Sequence, residues 1–166
     1  NGTVAGNWDT GGLAGYAENS TITNVVSNVD VVGGRYVGGL VGLVSDTTVI
    51  QDSSATGTVT GSDSFVGGLV GYGNGEILDS FATGVVSSDG SSTGGLIGYA
   101  QGGSNIERSY ATGYVEAQGD NVGGFVGYNG GEIDQSYATG NVNGNGDVGG
   151  FVGEEGGATY DSYARG

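Results

Sequence analysis

The chain contains no cysteine, proline, methionine or histidine, and its three basic residues are all arginine (Arg35, Arg108, Arg165), so lysine is absent too. Without cysteine there are no disulfides and no thiolate metal sites. Without cysteine and histidine, Ser-His and Cys-His nucleophile systems and the usual zinc ligand sets are excluded. Proline is missing and glycine does not recur at every third position, which excludes a collagen-like helix. Positive charge is scarce: 3 basic against 18 acidic residues leave a net charge of −15. Such a surface repels phosphate backbones and anionic lipid, so neither nucleic acid nor a membrane surface is an expected partner. No apolar run approaches the roughly 20 residues of a spanning helix, so membrane insertion is not expected either.

What the chain has is glycine, 40 in 166 residues, and a repeat. The block Gly-Gly-[Leu/Phe]-x-Gly starts at Gly11, Gly38, Gly67, Gly94, Gly123 and Gly149, in steps of 27, 29, 27, 29 and 26 residues. After each comes a second block, Ile-x-x-Ser-Tyr-Ala-Thr-Gly-x-Val, clearest over Ile77 to Val86, Ile106 to Val115 and Ile133 to Val142. Ile50 to Val59 has Ser54 at the aromatic position, and Ile22 to Val31 is the most divergent copy. Gly2-Thr3-Val4 reads as the tail of a preceding repeat and the last copy stops at Gly166. Residues 1–166 are therefore expected to form a single repeat array, cut mid-repeat from a longer protein.

Gly-Gly-Leu-Val-Gly-Tyr followed by Ser-Tyr-Ala-Thr-Gly-x-Val resembles the GLUG repeat, named for its Gly-Leu-any-Gly core, over nearly the whole chain. Phe125 and Phe151 replace the leucine, which changes volume but not apolar character. The resemblance implies bacterial and archaeal surface proteins, adhesins, and accessory regions of metallopeptidases that cleave immunoglobulin A. It brings no catalytic residues.

Short β-rich blocks separated by glycine- and Asx-rich turns cannot bury a face alone, but stacked neighbours can. The expected fold is all-β, a parallel β-helix or β-solenoid of about six coils with 26–29 residues and about three short strands per coil. In the second block Ser80, Ala82, Gly84 and Val86 alternate to one side and are assigned inward, which implies a thin coil with closely opposed sheets. The other side carries two outward columns. One is Val26, Ser54, Phe81, Tyr110, Tyr137 and Tyr163; the other is Asn28, Thr56, Thr83, Thr112, Thr139 and Arg165. The first block is apolar at two adjacent columns, one through Leu40, Leu69 and Phe125, the other through Val41, Val70 and Val126. Alternation would bury only one of these unless a turn covers the other, and the sequence does not say which.

Most acids recur at turns, such as Asp9, Asp63, Asp89, Asp120 and Asp147 ahead of the Gly-Gly block. That recurrence reads as Asx turns and solvated loops. No metal site is assigned. Calcium is the one conceivable cofactor, although the spacing is irregular and the calcium-binding nonapeptide is missing. Gly-Gly-Leu-Val-Gly is no phosphate loop, since neither a following helix nor a lysine accompanies it. The candidate binding ladder is Phe81, Tyr110, Tyr137 and Tyr163 with Thr56, Thr83, Thr112 and Thr139 alongside. Its plain reading is stacking within the sheet; its functional reading is a flat face for glycans or for another rod. Asn1-Gly2-Thr3 and Asn19-Ser20-Thr21 match the N-glycosylation acceptor pattern, at a frequency expected by chance.

The expected function is non-catalytic: a stiff spacer, an adhesin stalk or a self-assembling fibre or envelope subunit, extracellular or at the cell surface. Expected partners are copies of itself or neighbouring repeats, packed end to end or laterally, and glycans or host surface molecules. The alternatives are a β-helix protein that binds or degrades polysaccharide and, less fittingly, an ice-binding solenoid.

Overall fold

A computed structural model describes residues 2–45 and 47–166; Asn1, and with it the first acceptor pattern, lies outside them. The chain winds through six coils that build five six-stranded sheets, and every strand pairs parallel with its equivalent one coil away. We letter the sheets A to E in the order the chain visits them. The third coil shows the unit: Val59–Gly61 in sheet A, Val66–Gly67 in B, Val70–Gly73 in C, Glu76–Leu78 in D and Phe81–Ala82 in E.

The expected three strands per coil are thus five, each of two to four residues. Between them the chain turns at columns of left-handed residues. The corner from D to E holds Asn24, Asp52, Asp79, Arg108, Gln135 and Asp161, all with φ between 40° and 58°. Asn and Asp enter this region most easily among side-chain-bearing residues. The Asn24, Asp52, Asp79 and Arg108 amides are satisfied by the next coil, as when the Asp79 N–H donates to the Glu107 carbonyl at 3.1 Å.

The ambiguity of the Gly-Gly-Leu-Val-Gly block resolves at the corner between B and C: in the four inner coils both apolar columns are buried, while Leu13 of the first coil is half exposed. Leu40, Leu69, Leu96 and Phe125 are fully enclosed, and so are Val41, Val70, Ile97 and Val126 to within 3 %. The Leu69 and Val70 amides both donate to the Leu96 carbonyl, at 2.8 and 3.0 Å. Two successive amides that share one acceptor mark a bend, so consecutive side chains there need not point to opposite faces. Each enclosed Leu or Ile adds roughly 1.5–3 kcal/mol of burial.

The interior has two lobes. The larger holds these columns with Val44, Ile50, Ile77, Ile106 and Ile133. The smaller is mostly valine, from Val31, Val59, Val86 and Val115 of sheet A and Val37, Val66 and Val122 of sheet B. Between them the coil narrows to a waist. A Cβ on Gly39, Gly68 or Gly95 would stand 2.8, 2.9 or 3.0 Å from the Cβ of Ala55, Ala82 or Ala111. The sheets are closely opposed here, as expected, but not along the whole coil. The block's glycines answer to space: a Cβ on Gly67 would come within 2.0 Å of the Val70 carbonyl oxygen.

Candidate interaction face

Sheet E and its following turn carry the second block. Its serine forms a buried ladder along the D–E corner. Ser80 Oγ donates to the Leu78 carbonyl at 2.7 Å and accepts from the Ser53 amide at 3.1 Å. Ser109 repeats this with Glu107 and Ser80, and Ser136 with Asp134 and Ser109. Ser80 and Ser109 are wholly buried, and each hydroxyl both donates and accepts. This pattern closes the corner without an unpaired backbone donor. The alanine column Ala55, Ala82, Ala111, Ala138 then stacks in register, which places the next residue of each strand pair on the outside.

The expected aromatic column exists as a continuous stack. Phe81–Tyr110, Tyr110–Tyr137 and Tyr137–Tyr163 have ring centroids 4.7, 5.0 and 5.4 Å apart, within 9° of parallel. Phe81, Tyr110 and Tyr137 are half-buried and Tyr163 is exposed. Because the rings stack along the rod, Tyr110 and Tyr137 have neighbours on both faces and turn their edges outward. Burial, and then the neighbouring Tyr137, push the Tyr110 phenol above its usual range. Ser54 holds its register between Val26 and Phe81 but is buried, unlike the exposed Val26. Thr56, Thr83, Thr112 and Thr139 are exposed beside the stack. Val85 and Tyr114 add apolar surface beyond them.

This face bears no charge through its four central coils. Residues 53–58, 80–85, 109–114 and 136–141 include no Asp, Glu or Arg; Arg165 is the one charged residue in the next copy. Acids flank it, at the D–E corner on one side and at Asp30 and Glu116 of sheet A on the other. At that corner Arg108 grips Asp79 of the coil before through Nε and Nη2, at 2.7 and 3.0 Å, and also donates to Glu107. The Arg108 hydrogen bonds hold the Asp79 carboxyl below the usual range. Glu107 is held low too, first by a hydrogen bond from Asn105 and then by Arg108.

Sequence reasoning missed a second aromatic wall. Tyr72, Tyr99 and Tyr128 stack on sheet C, with centroids 5.2 and 4.4 Å apart. Tyr36 and Phe65 approach from the A–B corner, themselves stacked at 5.3 Å. Both are left-handed, with φ of 55° and 70°, a conformation unusual for bulky residues. Burial raises the Tyr72 and Tyr99 phenols. Elsewhere, no group of three or more acids that could hold a metal ion occurs among the described residues. The Asn19 side chain of the second acceptor pattern accepts a hydrogen bond from the Thr47 hydroxyl at 2.7 Å.

Fold and columns define a parallel β-solenoid repeat protein. Residues 6–32, 33–60, 89–116 and 118–143 each match the GLUG motif, together more than half of the sequence, and the chain belongs to the GLUG family. Over 68 residues it is 47 % identical to halomucin of Haloquadratum walsbyi (strain DSM 16790 / HBSQ001). That stretch is 37 % of this chain and 1 % of halomucin, so the chain compares with a small part of that relative. No solved structure matches it. The family and this likeness suggest a repeat segment of a surface protein.

Proposed function

We propose that the chain is a non-catalytic, rod-like segment of a surface protein that sets distance along its axis and makes lateral contacts through sheet E. The rod advances about 4.8 Å per coil. The single observation behind the lateral role is that sheet E is charge-free over four coils of a protein of net charge −15. Two such rods repel each other wherever carboxylates face carboxylates, and this strip is where they can approach at least cost. The contact is made by tyrosine edges and the threonine row, because neighbouring rings already occupy the ring faces. The preferred partner is a second copy or another repeat array of the same kind.

The test is sedimentation of the chain and of its Tyr110→Ser, Tyr137→Ser double variant from 0.01 to 1 M salt. Over that range the screening length falls from about 30 to 3 Å. The parent is expected to associate increasingly as repulsion is screened, and the variant to remain monomeric. The variant should fold, because Ser54 already occupies the same column in one coil. Equal association of the two would remove sheet E from the account, and a parent that stays monomeric throughout would remove lateral contact.

A further inference from the structure

The A–B corner is where the repeat loses its regularity. In the last three coils it reads Asp89-Gly90-Ser91, Gln118-Gly119-Asp120 and Asn145-Gly146-Asp147, with an acid in each but no aromatic residue and no arginine. In the first three, Asp9 and Asp63 belong to the same recurrent acids, but the corner also carries the chain's only tryptophan, Trp8, and one of its three arginines, Arg35. Turn-forming residues recur from coil to coil, whereas Trp8 and Arg35 each occur in this corner once. From this corner we infer a binding site for a neutral pyranose sugar, independent of the sheet E face.

The cleft holds about 230 Å³ and is lined by Asn7, Trp8, Gly34, Arg35, Ser62 and Asp63. That is room for one sugar unit rather than a large ligand. Trp8 is 60 % exposed and offers an uncovered aromatic plate for the apolar face of a ring. Behind the cleft, the Arg35 guanidinium rests on Tyr36 and Phe65, 4.8 and 5.0 Å from their centroids. These contacts fix Arg35 without a carboxylate: the ion pairs among the described residues belong to Arg108, and Arg35 Nε is buried with no partner. Across the cleft, Asp63 is oriented by the Ser64 amide, which donates to its Oδ1 at 2.7 Å.

A fixed cation and an oriented carboxylate therefore line one cleft without neutralising each other. Vicinal hydroxyls can satisfy both, accepting from Arg35 and donating to Asp63, with Asn7 and Ser62 able to do either. An anion would face Asp63 and the net charge of −15; a cation would face Arg35.

Trp8 is also the reporter, since no other tryptophan contributes emission. The chain is titrated with cello-, xylo-, manno- and chitohexaose, and with hexagalacturonate as the charged arm. At least one neutral hexaose is expected to give a saturable change in Trp8 fluorescence in the millimolar range or tighter. Asp63→Asn and Arg35→Gln should each weaken it tenfold or more, and Tyr110→Ser with Tyr137→Ser should leave it unchanged. Asp63→Asn leaves the Arg35 stack intact, so its effect is separable from misfolding. No saturable response to any neutral hexaose, binding of hexagalacturonate alone, or full binding by the Asp63→Asn variant would each overturn the site.

Discussion

Replacing Thr93 by valine should make this protein more stable. Thr93 lies in the sheet B column Val37, Val66, Thr93, Val122, Val148, facing the valine lobe. It is fully buried, and its hydroxyl has no hydrogen-bond partner among the described residues. The threonine of the first coil, Thr10, differs: its hydroxyl donates to the Trp8 carbonyl at 2.6 Å. A buried polar group without a partner costs about 1–3 kcal/mol. Valine keeps the shape and replaces the hydroxyl by a methyl, as the four valines of the column already do. The gain should be about 1–2 kcal/mol. For a chain of this size that is roughly 2–4 °C in Tm per kcal/mol. Thermal and urea denaturation followed by circular dichroism read it as a higher midpoint at unchanged urea slope. The reverse change, Val66→Thr, should lower the midpoint. A Thr93→Val midpoint equal to or below the parent's would show that the hydroxyl is satisfied and refute the reasoning.

Two further outcomes follow from the D–E corner. Ser109→Ala removes the acceptor of the buried Ser80 amide and the donor to the Glu107 carbonyl; it should destabilise by about 1–3 kcal/mol, and Ser109→Thr should recover part of this in the same urea titration. The Asp79 carboxyl is held low by Arg108, so the pair's stabilisation is full above the unfolded carboxyl pKa of about 4 and is lost as pH falls through the lower folded value. The Tm difference between the parent and Arg108→Gln should accordingly be small but measurable at pH 7, shrink in high salt and vanish at acid pH; a difference that grows on acidification would contradict the assignment.

The coil count, the parallel stacking and the inward Ser80, Ala82, Gly84 and Val86 were legible in the sequence because each is a column, and columns repeat. The number of strands was not. A strand of two residues such as Phe81–Ala82 is too short to show alternation, and corners made by Asp79 or Arg108 look like any polar position. The burial of both Leu69 and Val70 was hidden for a related reason: period-two reasoning holds along a strand and fails where two amides share the Leu96 carbonyl. The second aromatic wall joins Tyr72 of the Gly-Gly-Leu-Val-Gly-Tyr block to Tyr36 and Phe65 of an irregular corner. The tyrosine recurring after Gly71, Gly98 and Gly127 was the available signal. The Trp8 cleft left no periodic trace, because it is a departure from the repeat.

A stacked solenoid requires residues one repeat apart to stand side by side, and the absence of native cysteine makes that directly testable. Thr83 and Thr112 are exposed, continue the register of Ala82 with Ala111, and occupy adjacent coils; Thr139 lies one coil further on. Neighbouring parallel strands are about 4.8 Å apart, inside the Cα separation a disulfide bridges, whereas two coils span about twice that and exceed it. Under mild oxidation the Thr83→Cys, Thr112→Cys protein should form an intramolecular disulfide quantitatively, and the Thr83→Cys, Thr139→Cys protein should keep its thiols free as a monomer. Free thiols in the first protein, or equal cross-linking in both, would contradict the stacked parallel solenoid.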